Sequence, residues 1–280
     1  MPHFVSTQWL ADHLDDDNVT IVDGTWHLPN AGRDARSEFE ESHIPGAVHF
    51  DIDAVADTSR DLPHMLPDAA TFGAMAGALG ISSNATIVVY DEYGLFSAPR
   101  VWWTFKVMGA REVTILDGGA PKWRNEGRPL ESGWSRAPAT TFNAHLADDA
   151  IADFSAVLEA SRAGTAQILD ARPAARFAGE APEPRPGLAS GHIPGSRSLP
   201  FMDVIADGHI KSETDLRALI ADAGVDPEKP VITSCGSGVT AAVLALALDM
   251  VGAPKVSLYD GAWAEWGARE DAPVQKGTAP

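Results

Sequence analysis

The sequence predicts an α/β protein in which one mainly parallel, helix-flanked sheet domain is written twice. Two observations carry that expectation. Short β-branched runs alternate with helical patterns along the chain, and strands alternating with helices build parallel sheets covered by their crossovers. Motifs also recur in fixed order at a period of about 145 residues, far longer than the roughly 20–50 residues of a solenoid repeat. Ile21-Val22-Asp23-Gly24 returns as Ile168-Leu169-Asp170-Ala171, His43-Ile44-Pro45-Gly46 as His192-Ile193-Pro194-Gly195, and Leu116-Asp117-Gly118 as Tyr259-Asp260-Gly261. A chain of 280 residues is also long for one core, so two domains are expected.

In the first copy the expected strands are Thr20–Val22, Ile87–Tyr90 and Val113–Leu116, with helices over Thr7–Leu14, Thr71–Leu79 and Ala98–Met108. In the second copy the strands are Gln167–Leu169, Val231–Thr233 and Val256–Tyr259, and the helices Phe154–Ala163, Glu213–Ala223 and Val239–Val251. Ser212 and Asp215 read as a variant capping box opening one of these helices. The stretch 133–148 is mixed polar, contains Pro138 and has no apolar period. It reads as a linker, which sets the domains at 1–132 and 149–280. The tail after Ala268 is small and polar and is expected to be mobile.

Composition narrows the function classes. The net charge of −18 and the lack of a basic run argue against nucleic acid as a partner. An anionic substrate would have to be drawn by a local positive site, not by the global field. One cysteine excludes an internal disulfide and points to a reducing compartment. No signal segment is read at the N-terminus and no apolar run is long enough to span a bilayer, so the expectation is a cytoplasmic protein without a membrane partner. A monomer is the default expectation. The histidines have no close metal-ligand spacing, so neither a metal nor another cofactor is expected.

That cysteine, Cys235, closes the apolar run Val231-Ile232-Thr233-Ser234 and opens Gly236-Ser237-Gly238-Val239-Thr240, ahead of a long apolar helix pattern. A lone cysteine is usually a small core residue. The flanking glycines change that reading, because they suit a loop with unusual backbone angles or close approach to a ligand. A strand–loop–helix turn aims amides and a helix N-terminus at the sulfur, which favours the thiolate and suits covalent catalysis.

The doubled unit, the paired His-Ile-Pro-Gly motifs, Pro182-Glu183-Pro184-Arg185, Ser97-Ala98-Pro99-Arg100-Val101-Trp102-Trp103 and the cysteine loop together resemble the tandem rhodanese-type sulfurtransferases. The resemblance runs over nearly the whole chain, and within the family it is to members that take sulfur from 3-mercaptopyruvate. It implies that Cys235 attacks the donor sulfur and becomes a persulfide, that pyruvate leaves, and that a thiophilic acceptor (cyanide, a thiol or thioredoxin) takes the outer sulfur. Gly236, Gly238, Val239 and Thr240 would then cradle the sulfur, with Ser237 in the loop as a proton relay. Arg176 and Arg185 would clamp the donor carboxylate, which a guanidinium grips with two parallel hydrogen bonds. His64 and Asp53, from the first copy, would complete a Ser-His-Asp relay; a histidine capping a loop is the alternative for His64. The first copy has Asp91-Glu92-Tyr93-Gly94 where the thiol would fall, so its own loop is expected to be inert. His43 and His192 occur in both copies while only one copy has a thiol, and they read as structural.

Three rival readings share these residues. A thiosulfate:cyanide sulfurtransferase would meet its dianionic donor with basic residues directly after the cysteine, whereas Gly236 and Ser237 are neutral. A phosphatase would carry arginine six residues after the cysteine, where Ala241 stands. A non-enzymatic persulfide carrier or binding module would keep the fold without turnover; the intact cysteine loop and both arginines argue against it.

Overall fold

The computed structural model describes residues 2–134 and 137–278. The chain forms two compact units. The first runs through Asp57 and includes Leu66–Ala147 and Asp207–His209; the second comprises Thr58–Met65, Asp148–Ala206 and the chain from Ile210 onward.

The first unit contains β1 (Phe4–Val5), α1 (Thr7–Asp12), β2 (Val19–Asp23), α2 (Ala35–Glu41), β3 (Val48–His49), α3 (Ala69–Ala78), β4 (Thr86–Tyr90), α4 (Ala98–Val107), β5 (Glu112–Leu116) and α5 (Gly119–Asn125). Its sheet has the order β1-β5-β4-β2-β3, parallel throughout. Every residue of β4 is buried, as expected of a central parallel strand covered on both faces. Val5, Leu10, Ile21, Phe39, Ile44, Val88, Leu116 and Trp123 pack into one core. Phe50, Phe72, Phe105 and Phe142 form an aromatic cluster with ring centroids 5.1–6.3 Å apart.

The second unit repeats the plan with β6 (Ile151–Ala152), α6 (Phe154–Ala163), β7 (Gln167–Asp170), α7 (Ala174–Phe177), β8 (Arg197–Ser198), the short β9 (Ile205–Ala206), α8 (Glu213–Asp222), β11 (Val231–Ser234), α9 (Ala241–Met250), β12 (Val256–Tyr259) and α10 (Ala262–Trp266), and the two-residue β10 (His209–Ile210) falls where the chain re-enters this unit after Asp207–His209. Its sheet order β6-β12-β11-β7-β8 is again parallel. The chain leaves β7 for β8 on one side and returns to β11 on the other, so the order reverses between β7 and β11. Ligands of open α/β sheets bind beyond the strand ends at such a point. Helix α9 is buried from Ala241 to Leu248, consistent with its lack of a polar face. At α8, Ser212 Oγ accepts from Asp215 N (3.2 Å) but donates its own proton to Asp215 Oδ2 (2.7 Å), so the capping box is half-formed.

Two segments differ from their sequence reading. Within 133–148, residues 135 and 136 lie outside the described residues. From Thr140 onward the segment is tied to the first unit: Thr140 N donates to Gly77 O (2.9 Å), His145 N to Met108 O (3.0 Å) and Ala147 N to Val107 O (2.8 Å), and Phe142 is buried. One aromatic and three backbone bonds hold a stretch without apolar period. The C-terminal tail is also ordered by backbone pairing. Gln275 and His192 exchange hydrogen bonds of 2.8 and 2.9 Å, and Trp266 Nε1 donates to Pro273 O (2.9 Å).

The repeats treat one buried carboxylate differently. Asp170 ends β7 and is gripped by Arg172, whereas Asp23 ends β2 with Thr25 at the arginine's place and its Oδ1 accepting from Thr25 N (2.8 Å). Burial raises the pKa of Asp23 to about 7. The unfolded chain then ionises this group near its ordinary value of 3.8 while the folded chain keeps it protonated, so stability falls as pH rises from about 4 to 7. The span corresponds to about 4 kcal/mol at most. Urea unfolding of the full chain between pH 4.5 and 7.5 should show Asp23→Asn losing much of that slope; parallel curves for the two proteins would overturn the assignment.

Candidate active site

Strand β11 delivers Cys235 to the middle of the second sheet's carboxyl edge. The thiol is free and buried. The loop's carbonyls turn toward the start of α10, Cys235 O accepting from Trp263 N (2.9 Å) and Gly236 O from Ala264 N (3.0 Å). Gly238 sits at φ +81°, a left-handed angle that glycine adopts without strain. The loop feeds α9, whose N-cap Thr240 makes no side-chain cap bond. The amides of Ser237, Thr240 and Ala241 have no backbone acceptor among the described residues. Amides without a backbone acceptor at a helix start are the kind that bind an anion.

The first unit shows what this loop geometry does. Strand register pairs Asp23 with Tyr90 and Asp170 with Ser234, which makes Asp91 the counterpart of Cys235 within the Asp91–Gly94 turn. Gly94 (φ +92°) matches Gly238, and Ala120 N donates to Asp91 O as Trp263 N does to Cys235 O. The fully buried Asp91 carboxylate accepts four amides: Tyr93 N on Oδ1 (2.9 Å), and Phe96 N, Ser97 N and Ala98 N on Oδ2 (2.7, 2.8 and 2.7 Å). The loop is an anion cradle, and in the first unit its own side chain fills it. Counting from the strand end, Tyr93, Phe96 and Ser97 correspond to Ser237, Thr240 and Ala241.

One arginine of the sequence reading is at the cysteine loop. A Cβ on Gly236 would come within 2.9 Å of Arg176 Nη2, so a glycine here is what lets the guanidinium approach. Arg176 lies within α7, and its side chain is one-fifth exposed. Arg185 lies half-buried in the following loop of the same unit. Sequence reasoning missed two charged residues behind Arg176. Arg172, fully buried, holds both oxygens of Asp170 (2.7–3.1 Å), donates to Gly191 O (2.9 Å) and lies 4.1 Å over the Trp263 ring. Glu183, whose side chain is 2% exposed, accepts from Arg172 Nη1 (2.8 Å) and from Arg176 Nε and Nη2. Burial alone would lower the Arg172 pKa, but the Asp170 and Glu183 carboxylates outweigh it and raise it.

The remaining sequence-identified residues divide between the units. Ser237 is buried two positions from the thiol. His64 belongs to the second unit, as Cys235 does, and is buried at φ +58°. Asp53 lies in the first unit, where its Oδ2 accepts from Trp26 Nε1 (2.9 Å). His43 and His192 are turn-builders, as read. Each ring stacks on a phenylalanine at 3.9 Å, and each Nδ1 bonds that residue's carbonyl, Phe39 O (2.7 Å) or Phe177 O (2.8 Å). No group of three metal-ligating side chains comes together among the described residues.

The rhodanese-like domain model matches residues 6–126 and again 153–269. The chain belongs to the rhodanese family, as a tandem pair of its domains. It is 47% identical over 273 residues to the 3-mercaptopyruvate sulfurtransferase of Escherichia coli K12, covering 97% of each chain. It is 43% identical over 270 residues to the thiosulfate sulfurtransferase of Rattus norvegicus, covering 94% of this chain and 91% of that one. The crystal structure of SseA from Escherichia coli, described as a 3-mercaptopyruvate sulfotransferase of rhodanese fold, matches with a TM-score of 0.87 at 44% identity, over 94% of this chain and 99% of that one.

Proposed function

We propose that the protein is a sulfurtransferase that moves sulfur from 3-mercaptopyruvate through a Cys235 persulfide to a thiophilic acceptor. The observation that carries this reading is the pairing of a neutral, small-residue cysteine loop with the Arg176 guanidinium laid against Gly236. A guanidinium suits the donor's carboxylate, and a thiol donor needs no further positive charge at its sulfur.

The Cys235 thiolate attacks the donor's sulfur, forming the S–S bond and breaking the bond between that sulfur and the methylene carbon. The electron pair leaves on the enolate of pyruvate, which takes a proton at the methylene carbon. The amides of Ser237, Thr240 and Ala241, with the backbone of Gly236, Gly238 and Val239 shaping the loop, hold the persulfide anion as their counterparts hold the Asp91 carboxylate. Arg176 and Arg185 bind the donor carboxylate. Ser237, His64 and Asp53 form the relay that brings the proton; the burial of Ser237 beside the thiol and of His64 in the same unit supports the first two, and family resemblance alone supports Asp53. Attack on the persulfide by cyanide, a small thiol or a thioredoxin thiolate regenerates Cys235. The duplicated domain supports a monomer, and the single cysteine supports a reducing, cytoplasmic setting. Among the described residues no helix is long and apolar enough to cross a membrane.

The test is a parallel assay with 3-mercaptopyruvate or thiosulfate as donor, cyanide as acceptor and thiocyanate as readout. The kcat/KM for 3-mercaptopyruvate should exceed that for thiosulfate by at least tenfold, the discrimination that about 1.4 kcal/mol of differential binding supplies. Preference for thiosulfate would show that the neutral loop does not set donor choice. Transfer from neither donor would favour the carrier reading.

A further inference from the structure

We propose that Glu183 is the positioning residue of the donor clamp, fixing the Arg176 guanidinium relative to the Cys235 sulfur. The inference rests on reading Arg176 as the carboxylate-binding group.

The contacts form a closed circuit. Cys235 O accepts from Trp263 N (2.9 Å). The Trp263 indole, whose Nε1 is tied to Ala189 O (2.9 Å), carries the Arg172 guanidinium on its face at 4.1 Å. Arg172 Nη1 bonds Glu183 Oε1 (2.8 Å), Glu183 bonds Arg176, and Arg176 Nη2 lies against Gly236, next to the thiol. The path leaves the cysteine loop and returns to it. The side chains of Trp263, Arg172 and Glu183 are buried, so each is held by packing as well as by its bonds.

The circuit also decides which edge of the guanidinium is offered. Glu183 takes Nε and Nη2 from one side. The edge made by Nη1 and the second Nη2 proton remains, and Nη1 has no protein partner among the described residues. A carboxylate needs one such edge for two parallel bonds. Without Glu183 a one-fifth-exposed arginine would sample many rotamers, and binding would cost the entropy of choosing one. Charge balance supports the same role. Asp170 and Glu183 offset Arg172 and Arg176, so the quartet is neutral and the donor's charge is not repelled by an unpaired carboxylate.

Glu183→Asp keeps the charge and shortens the reach by one methylene. It should raise KM for 3-mercaptopyruvate about tenfold while kcat stays within about threefold, the pattern of lost uniform binding. A second readout is independent of turnover: alkylation of Cys235 by iodoacetate, an anion, relative to neutral iodoacetamide. That ratio should fall several-fold in Glu183→Asp, toward the value for Arg176→Ala, and Arg176→Ala with Glu183→Asp should fall no further than Arg176→Ala alone. If Glu183→Asp unfolds, Glu183→Gln is carried through the same two measurements. A wild-type KM and alkylation ratio in the Glu183 variant, with both lost in Arg176→Ala, would overturn the positioning role, even if the variant were less thermally stable. If Arg176→Ala itself leaves both unchanged, the clamp reading falls first.

Discussion

Cys235→Ser is expected to abolish sulfur transfer from either donor, a loss on the order of 10⁴-fold or more, as for other removals of a covalent nucleophile. The argument is chemical before it is structural. A serine hydroxyl at this site is close in size, so the buried loop and its bonds from Trp263 N and Ala264 N to the Cys235 and Gly236 carbonyls should persist. What disappears is an atom that can attack as a thiolate and can hold a second sulfur. A single-turnover measurement makes the test sharp. Protein loaded with 3-mercaptopyruvate, freed of excess donor and then given cyanide should release one thiocyanate per chain in the wild type and none in the variant. Because the chain has one cysteine, no other thiol can substitute. Retained stoichiometric release from the variant would refute the persulfide route.

The parts of this site that the sequence revealed are those that break a local pattern. Cys235 interrupts a strand-to-helix transition with glycines around it, and the repeat revealed which motifs belong to the fold because they occur with and without a thiol. Central strands were legible because burial on both faces leaves apolar, β-branched runs: Ile87–Tyr90 was expected and Thr86–Tyr90 forms; Val231–Thr233 was expected and Val231–Ser234 forms. The edge strands Phe4–Val5, Val48–His49, Ile151–Ala152 and Arg197–Ser198 are two residues each, too short to show any period. Helix α2 was missed because its sequence ARSEFEE buries only Phe39. Arg172 and Glu183 were missed for another reason. Charged residues read as solvated surface, and only the fold shows that Asp170, Arg172, Glu183 and Arg176 neutralise one another. Sequence located the counterpart of Cys235 only within the four residues Asp91–Gly94, and strand register narrowed it to Asp91.

Asp91 carries the largest stability prediction. Asp91→Ala should destabilise the first unit by about 3–5 kcal/mol. Hydrogen bonds to a charged group net roughly 1.5–3 kcal/mol each, but four amides share two oxygens here, so the sum overstates the loss. The larger part is the cost of leaving buried amides without an acceptor; Ser97 and Ala98 are fully buried and open α4. Asp91→Asn discriminates between shape and charge. Its amide oxygen can still take the three amides that meet on Oδ2, but its NH₂ then faces Tyr93 N–H, donor against donor. That variant should therefore lie between wild type and alanine, about 2 kcal/mol down. Urea unfolding of the full chain at neutral pH reads the series. A descending order from aspartate through asparagine to alanine would establish that the loop binds an anion by its amides, and would carry the same inference to the matching amides around Cys235. Equal stabilities within about 0.5 kcal/mol would mean that packing alone shapes the loop, and that the persulfide is held by something other than this cradle.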